Sequence, residues 1–147
     1  MQTFLPFKSF KESAKVLDYR RLGKQRVETW QILNCLSGKS TGWKNHPAVK
    51  MWKGHEGALT IYGLETCREW INRGYEDTMT ARFIEYQTLY SNVVNPYWVG
   101  NEDFHSAHRQ TLLFKNYEYY SKFGWTELPK YEYVWPETFA LVTQLVE

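Results

Sequence analysis

Apolar residues along this chain recur at helical rather than strand spacing. After Leu22, the positions Val27, Trp30, Leu33 and Leu36 keep near-helical intervals and Gly38 stands where a left-handed stop is needed, so the pattern predicts one long core helix ending there. Leu59, Tyr62, Cys67 and Trp70, with Leu64 and Ile71 beside them, predict a second long helix closed by Arg73-Gly74-Tyr75. Upstream, Ser9 and Glu12 have the separation of a capping box, in which hydroxyl and carboxylate satisfy backbone N–H groups at a helix start. The loop Gly38–Asn45 leads to His46-Pro47, where proline at the first helical position opens the next helix. A weaker helix is predicted over Thr78–Leu89, and Asn95-Pro96 marks a loop. Asn101 caps a helix over Glu102–Lys115, whose positive end Asp103 complements. Tyr131–Trp135 reads as a short extended stretch and Pro136 as the start of a last helix through Leu145. No alternating strand set, internal repeat or low-complexity linker interrupts these segments. The fold class expected is therefore all-α: one compact domain over residues 1–147, with Trp30, Leu33, Leu36, Leu59, Tyr62, Cys67 and Trp70 packed into one core.

Composition adds limits. A chain of 147 residues, 43% hydrophobic, has the size of one domain. Its two cysteines, Cys35 and Cys67, sit among apolar helical residues at neither metal nor redox spacing, which fits core positions in a reduced compartment. No stretch approaches the roughly 18 consecutive apolar residues of a membrane span, so a soluble cytoplasmic protein is expected, and a monomer.

Charge changes the picture more. The net charge of +2 hides a division: residues 1–55 carry 11 Lys/Arg against Glu12, Asp18 and Glu28, a balance of +8, while the remainder balances at −6. Such segregation is the footprint of a polyanion-binding face on an otherwise acidic body. The densest candidate is Leu17–Arg26, where Arg20, Arg21, Lys24 and Arg26 lie within seven residues; Arg20 and Lys24 share one helical face, and Arg21 lies with Asp18 and Gln25. Guanidinium groups bind phosphates bidentately and lysine adds a point charge. Gly23 inside this helix predicts a kink or a close approach. The second candidate alternates aromatics with cations through Trp43, Lys44, His46, Lys50, Trp52 and Lys53, with no acid between Lys39 and His55, which suits a splayed base and its phosphates. The third is His105, His108 and Arg109. Two histidines three residues apart without a third ligand do not make a metal site, so neither metal nor cofactor is expected, and contact with phosphate or substrate is the alternative to a packing role.

Taken together these segments resemble the pyrimidine-dimer DNA glycosylase family, the phage endonuclease V type, and more closely its bacterial branch. The resemblance is carried by Met1–Pro6 (MQTFLP), Leu17–Arg26 (LDYRRLGKQR), Gly42–Gly54, Arg73–Tyr75, Phe104–Arg109 and Tyr133–Pro136, in order across essentially the whole chain. It implies an all-α protein that bends double-stranded DNA, displaces a nucleotide and attacks the sugar of a damaged pyrimidine with its N-terminal α-amine, forming a Schiff base that also permits strand cleavage. By the same resemblance Arg20 takes the place of a phosphate-contacting arginine and Lys24 that of a second basic residue. Tyr120 and Lys122, within Tyr119–Gly124, take that of a DNA-contacting aromatic tail. The family's catalytic glutamate follows the Tyr-Arg pair; here Arg21 stands there, and Asp18, one turn earlier, is the acid able to approach the same place. Met1-Gln2 is expected to retain its methionine, which assigns the nucleophilic amine to Met1, and the residues after Trp125 extend past the phage enzymes' end. The implied catalytic set is Met1, Asp18, Arg20 and Arg21. The alternatives are a non-catalytic nucleic-acid-binding protein on the same scaffold and an enzyme acting on another nucleoside or nucleotide.

Overall fold

The structure, a computed structural model, describes residues 1–136. Among them the chain forms α1 (Phe10–Val16), α2 (Tyr19–Leu36), α3 (Pro47–Lys50), α4 (Glu56–Asn72), α5 (Thr80–Leu89), α6 (Glu102–Lys115) and α7 (Tyr117–Tyr120), and α7 runs on into a 3₁₀ turn over Ser121–Phe123. No strand occurs among the described residues, and the fold is all-α. None of their helices is long and apolar enough to cross a membrane.

Local chemistry sets most of the boundaries. The Ser9 hydroxyl accepts the Glu12 N–H at the start of α1, and the Asn101 carboxamide accepts the N–H groups of Asp103 and Phe104 at the start of α6. Pro47 opens α3, which lasts a single turn; Gly38 and Gly74 take the left-handed conformation beyond α2 and α4. One boundary departs from the expected reading. Leu17 is extended, so α1 stops after Val16, and Asp18 becomes the N-cap of α2 with its carboxylate accepting from Arg21 N. Asp18 is thus outside the helix rather than one turn back along it. The short α7 was not foreseen, Tyr131–Trp135 is non-helical as expected, and the helix expected to run from Pro136 lies outside the described residues.

The helix α4 packs against α1, α2 and α5, while α6 packs against α7. Helix α2 runs unbroken through Gly23. This glycine admits the Trp70 ring of α4, which would lie 3.2 Å from an added Cβ. The buried apolar residues fall into two clusters instead of the single core expected. Leu33, Leu59, Tyr62 and Cys67 lie in the first, with Trp30 and Leu36 packed on it; Trp70 instead packs on the second, with Leu22, Leu112 and Tyr120. Around Trp70, Tyr19 stacks on its ring, Tyr75 lies tilted against it and the Arg26 guanidinium lies 4.5 Å from its centroid. The extended segment at residues 1–6 runs between the clusters. Successive side chains of an extended segment point opposite ways, so Phe4 enters the second cluster and Leu5 the first.

Candidate functional site

Gln2 through Pro6 are buried, yet they belong to no helix or strand. A buried extended segment without a partner strand must find its hydrogen bonds among side chains. Gln25 of α2 donates to Gln2 O at 2.6 Å and accepts from Phe4 N at 2.8 Å. The Tyr62 hydroxyl of α4 lies 2.7 Å from Phe4 O and 2.6 Å from the Gln25 carbonyl oxygen; burial pushes its pKa well up, the nearby Glu28 charge acts in the same direction, and it stays a phenol. Trp52 donates its indole N–H to the Thr3 hydroxyl at 3.0 Å. From α6, His108 Nδ1 accepts Leu5 N–H at 2.8 Å, His105 Nδ1 donates to Leu5 O at 2.7 Å, and Arg109 donates to Pro6 O at 2.7 Å.

These contacts correct several readings of the sequence. Trp52, His105, His108 and Arg109 are buried, Trp52 bound to the Thr3 hydroxyl and the other three to backbone of the N-terminal segment, instead of facing a nucleic acid. Arg109 also pairs with Glu127 at 2.8 Å and with Glu102. His105 uses both ring nitrogens as a neutral imidazole, Nε2 accepting from Gly100 N, and burial holds its pKa below the ordinary value. Burial, aided by the charge of His105, depresses His108 to about 3. Arg26 is buried against Asp77, its Nε and Nη2 at 3.0 and 2.5 Å from one carboxylate oxygen. Tyr120 is fully buried; its hydroxyl donates to Asp18 and accepts Asp18 N–H, so it faces inward as well. The three basic segments therefore do not converge on one surface. Helix α6 turns its motif toward the interior because the N-terminal segment requires donors and acceptors there.

Met1, Asp18, Arg20, Arg21 and Lys24 do come together. They line a cavity of about 580 Å³, with Gln2, Phe4, Gln25, Glu28, Lys115, Asn116 and Tyr133 completing its wall. Arg20 and Lys24 are exposed, Arg21 is half-buried and pairs with Asp18 at 3.1 Å, and Lys115 arrives from the last turn of α6. Asp18 is committed: one oxygen takes the Tyr120 hydroxyl and the Arg21 guanidinium, the other the Arg21 backbone N–H. Glu28 is the pocket residue that sequence reasoning passed over. It lies seven positions after Arg21 and four after Lys24, on the same helical stripe, and that arithmetic would have found it. Gln25, Lys115 and Tyr133 carry no comparable signal.

A family model described as Pyrimidine dimer DNA glycosylase matches residues 1–83. The chain belongs to the pyrimidine dimer DNA glycosylase family. Neither a curated protein nor a solved structure matches it. The matched span of this DNA repair glycosylase family holds Met1, all of α2 and every pocket residue except Lys115, Asn116 and Tyr133. DNA is thus the partner to which the pocket's chemistry is referred. A polyanion fits a wall that gathers Arg20, Arg21, Lys24 and Lys115. The second basic segment touches the pocket wall indirectly, His46 meeting the Trp135 ring that packs on Tyr133. Trp43, Lys44, Lys50 and Lys53 are exposed, and His46 caps α3 with its ring edge-on to Trp43 and Trp135. Burial lowers the pKa of His46, and the α-ammonium of Met1 lowers it further. Lys122 is exposed with its ammonium 3.8 Å from the Tyr119 ring centroid.

Proposed function

We propose that this chain excises a damaged or modified pyrimidine from double-stranded DNA and then cleaves the strand at the resulting abasic site, with the α-amine of Met1 as nucleophile. The observation that carries the reading is the anchoring of residues 1–6 by side chains of α2, α4 and α6, which fixes Met1 in the wall of a basic pocket. A segment held by so many buried side-chain hydrogen bonds is preorganised, and preorganisation of a nucleophile is where much of a catalytic advantage comes from. An α-amine is also the most readily deprotonated amine a protein carries. Arg20, Lys24 and Lys115 would take the phosphates flanking the displaced nucleotide. The amine nitrogen bonds to the sugar C1′ as the C1′–base bond breaks, and the base leaves with that electron pair and takes a proton from water. Opening of the C1′–O4′ bond then converts the amine adduct to an iminium, from which loss of a C2′ proton expels the 3′ phosphate.

A non-catalytic binder on the same scaffold is the second reading, favoured by Arg21 at the family's glutamate position and by the engagement of Asp18 with Arg21 and Tyr120. Incubation with duplexes carrying a cyclobutane pyrimidine dimer, an abasic site or no damage, in the presence of borohydride, separates the two. A covalent adduct on damaged and abasic duplex, lost when the N-terminus is acetylated or extended, supports the amine. Tight binding with no adduct, or an adduct that persists after the amine is blocked, sinks it.

A further inference from the structure

Resting on the amine chemistry just proposed, we infer that Glu28 is the proton-transferring carboxylate of this site, in place of Asp18. Imine formation needs a group that removes a proton from the attacking nitrogen and returns one to the sugar ring oxygen as it leaves, and a carboxylate at hydrogen-bond reach is suited to both steps. Two carboxylates line the pocket that contains Met1. Asp18 is already engaged: one oxygen takes both the Arg21 guanidinium and the Tyr120 hydroxyl, and the other caps α2. Glu28 is differently placed. Its side chain is 19% exposed, enough to be reached from the cavity and buried enough to be positioned. Among the described residues its ion-pair partner is Lys24, at a loose 3.9 Å, and that lysine is itself largely exposed. Helix α2 holds Glu28 one turn beyond Gln25, whose carboxamide carries the backbone of Gln2, the residue next to the amine.

The proton balance follows. After the amine has displaced the base, the nitrogen bonded to C1′ carries two hydrogens and a positive charge. Glu28 takes one of these protons and becomes a carboxylic acid. The nitrogen lone pair then forms the C=N bond as the C1′–O4′ bond breaks, and the acid returns its proton to O4′. The sugar is left ring-opened as an iminium and Glu28 is ionised again, with no oxidant, metal or cofactor consumed.

The test compares the wild-type protein with Glu28→Gln, Glu28→Ala and Asp18→Asn, all with the native N-terminus, on duplexes carrying a cyclobutane pyrimidine dimer or an abasic site. Glu28→Gln is expected to bind within about two-fold of wild type and to melt at the same temperature, while single-turnover excision falls by about 10²–10⁴-fold. Formate is expected to restore part of the turnover of Glu28→Ala, which a merely structural role would not allow. Wild-type turnover in Glu28→Gln, with excision abolished in Asp18→Asn, returns the role to Asp18 and overturns the inference. A loss of turnover matched by a loss of affinity or melting temperature does the same. If the wild type itself traps no adduct, the amine reading has failed, a result distinct from a wild type that traps and a Glu28→Gln that still turns over.

Discussion

Acid should unfold this protein through His108, and the size of the effect can be worked from its surroundings. The imidazole is fully buried between Phe4 and Phe104, accepts the Leu5 N–H at Nδ1, and has its pKa lowered to about 3 by burial and by the charge of His105. In the unfolded chain it returns to the ordinary value of 6.5. The folded state therefore binds fewer protons than the unfolded one between those values, and the stability fully present above pH 6.5 is lost as the pH falls toward 3. Integrating that difference gives a loss of about 2 kcal/mol from His108 alone between about pH 7 and pH 5, against a total stability of about 5–15 kcal/mol for a domain of this kind. Burial lowers His105 and His46 as well, in the same direction, so the measured loss should exceed this figure. The assay is urea unfolding of wild type and His108→Asn at a series of pH values. Asparagine keeps an acceptor for Leu5 N–H but cannot titrate, so the variant should be less stable at pH 7 through poorer packing on Phe104, with a pH dependence flatter by about 2 kcal/mol. Parallel pH profiles for the two proteins would refute the reasoning, because the His108 proton would then contribute nothing to the acid limb.

Replacing Arg26 with Met strands Asp77, whose carboxyl would be raised by burial but is held down to about 2 by Thr80, Arg26 and the N–H groups of Thr80 and Met79. With side chains only 9% and 3% exposed, breaking this pair should cost about 3–5 kcal/mol in denaturant titration, and an unchanged midpoint would refute it. Gly63→Ala puts a Cβ 2.3 Å from the buried Phe83 ring where α4 crosses α5, and should destabilise by about 1–3 kcal/mol in thermal melts. Gln25→Leu should leave Phe4 N–H and Gln2 O unpaired and slow excision far more than it weakens DNA binding, so an unchanged excision rate would detach Met1 placement from Gln25. Arg20→Ala and Lys24→Ala should each flatten the salt dependence of DNA affinity by about one unit for every phosphate no longer neutralised, as read by fluorescence anisotropy, whereas Arg109→Ala should lower stability and leave that slope alone.

What was legible in the sequence was whatever local geometry decides. Asn101, Ser9, Pro47 and Gly38 each satisfy or terminate backbone groups within a few residues of themselves, so the ends of α1, α2, α3 and α6 could be read without tertiary information. The break at Leu17 was missed because Leu17 and Asp18 are compatible with a continuing helix. Asp18 caps α2 locally through Arg21 N–H, and the Tyr120 hydroxyl, 102 positions away, accepts the Asp18 N–H and donates to its carboxylate. The pocket was half legible. Arg20, Arg21 and Lys24 cluster in the sequence, whereas Lys115 and Tyr133 arrive through the packing of α6 and the segment beyond it. Trp52, His105, His108 and Arg109 misled for one physical reason: donors and acceptors that suit a phosphate or a base also suit the polar groups of a buried extended segment, backbone for the last three and the Thr3 hydroxyl for Trp52. The sequence pattern has no way of marking residues 1–6 as that segment.

The charge division needs the same correction before it is used for affinity. Arg26 neutralises Asp77, an acid of the second half, so a tally by sequence halves counts as separated two charges that meet in space. Arg21 is paired with Asp18, and Lys24 is loosely paired with Glu28, so the pocket's excess rests chiefly on Arg20, Lys115 and the Met1 amine. Buried ion pairs release no condensed counterions when a polyanion binds, so only the exposed cations can contribute to the salt slope. Lys44, Lys50 and Lys53 of the second basic segment are also exposed and, among the described residues, unburdened by a buried pair. The +8 of the first 55 residues thus divides into cations that build the fold and cations that can meet a phosphate.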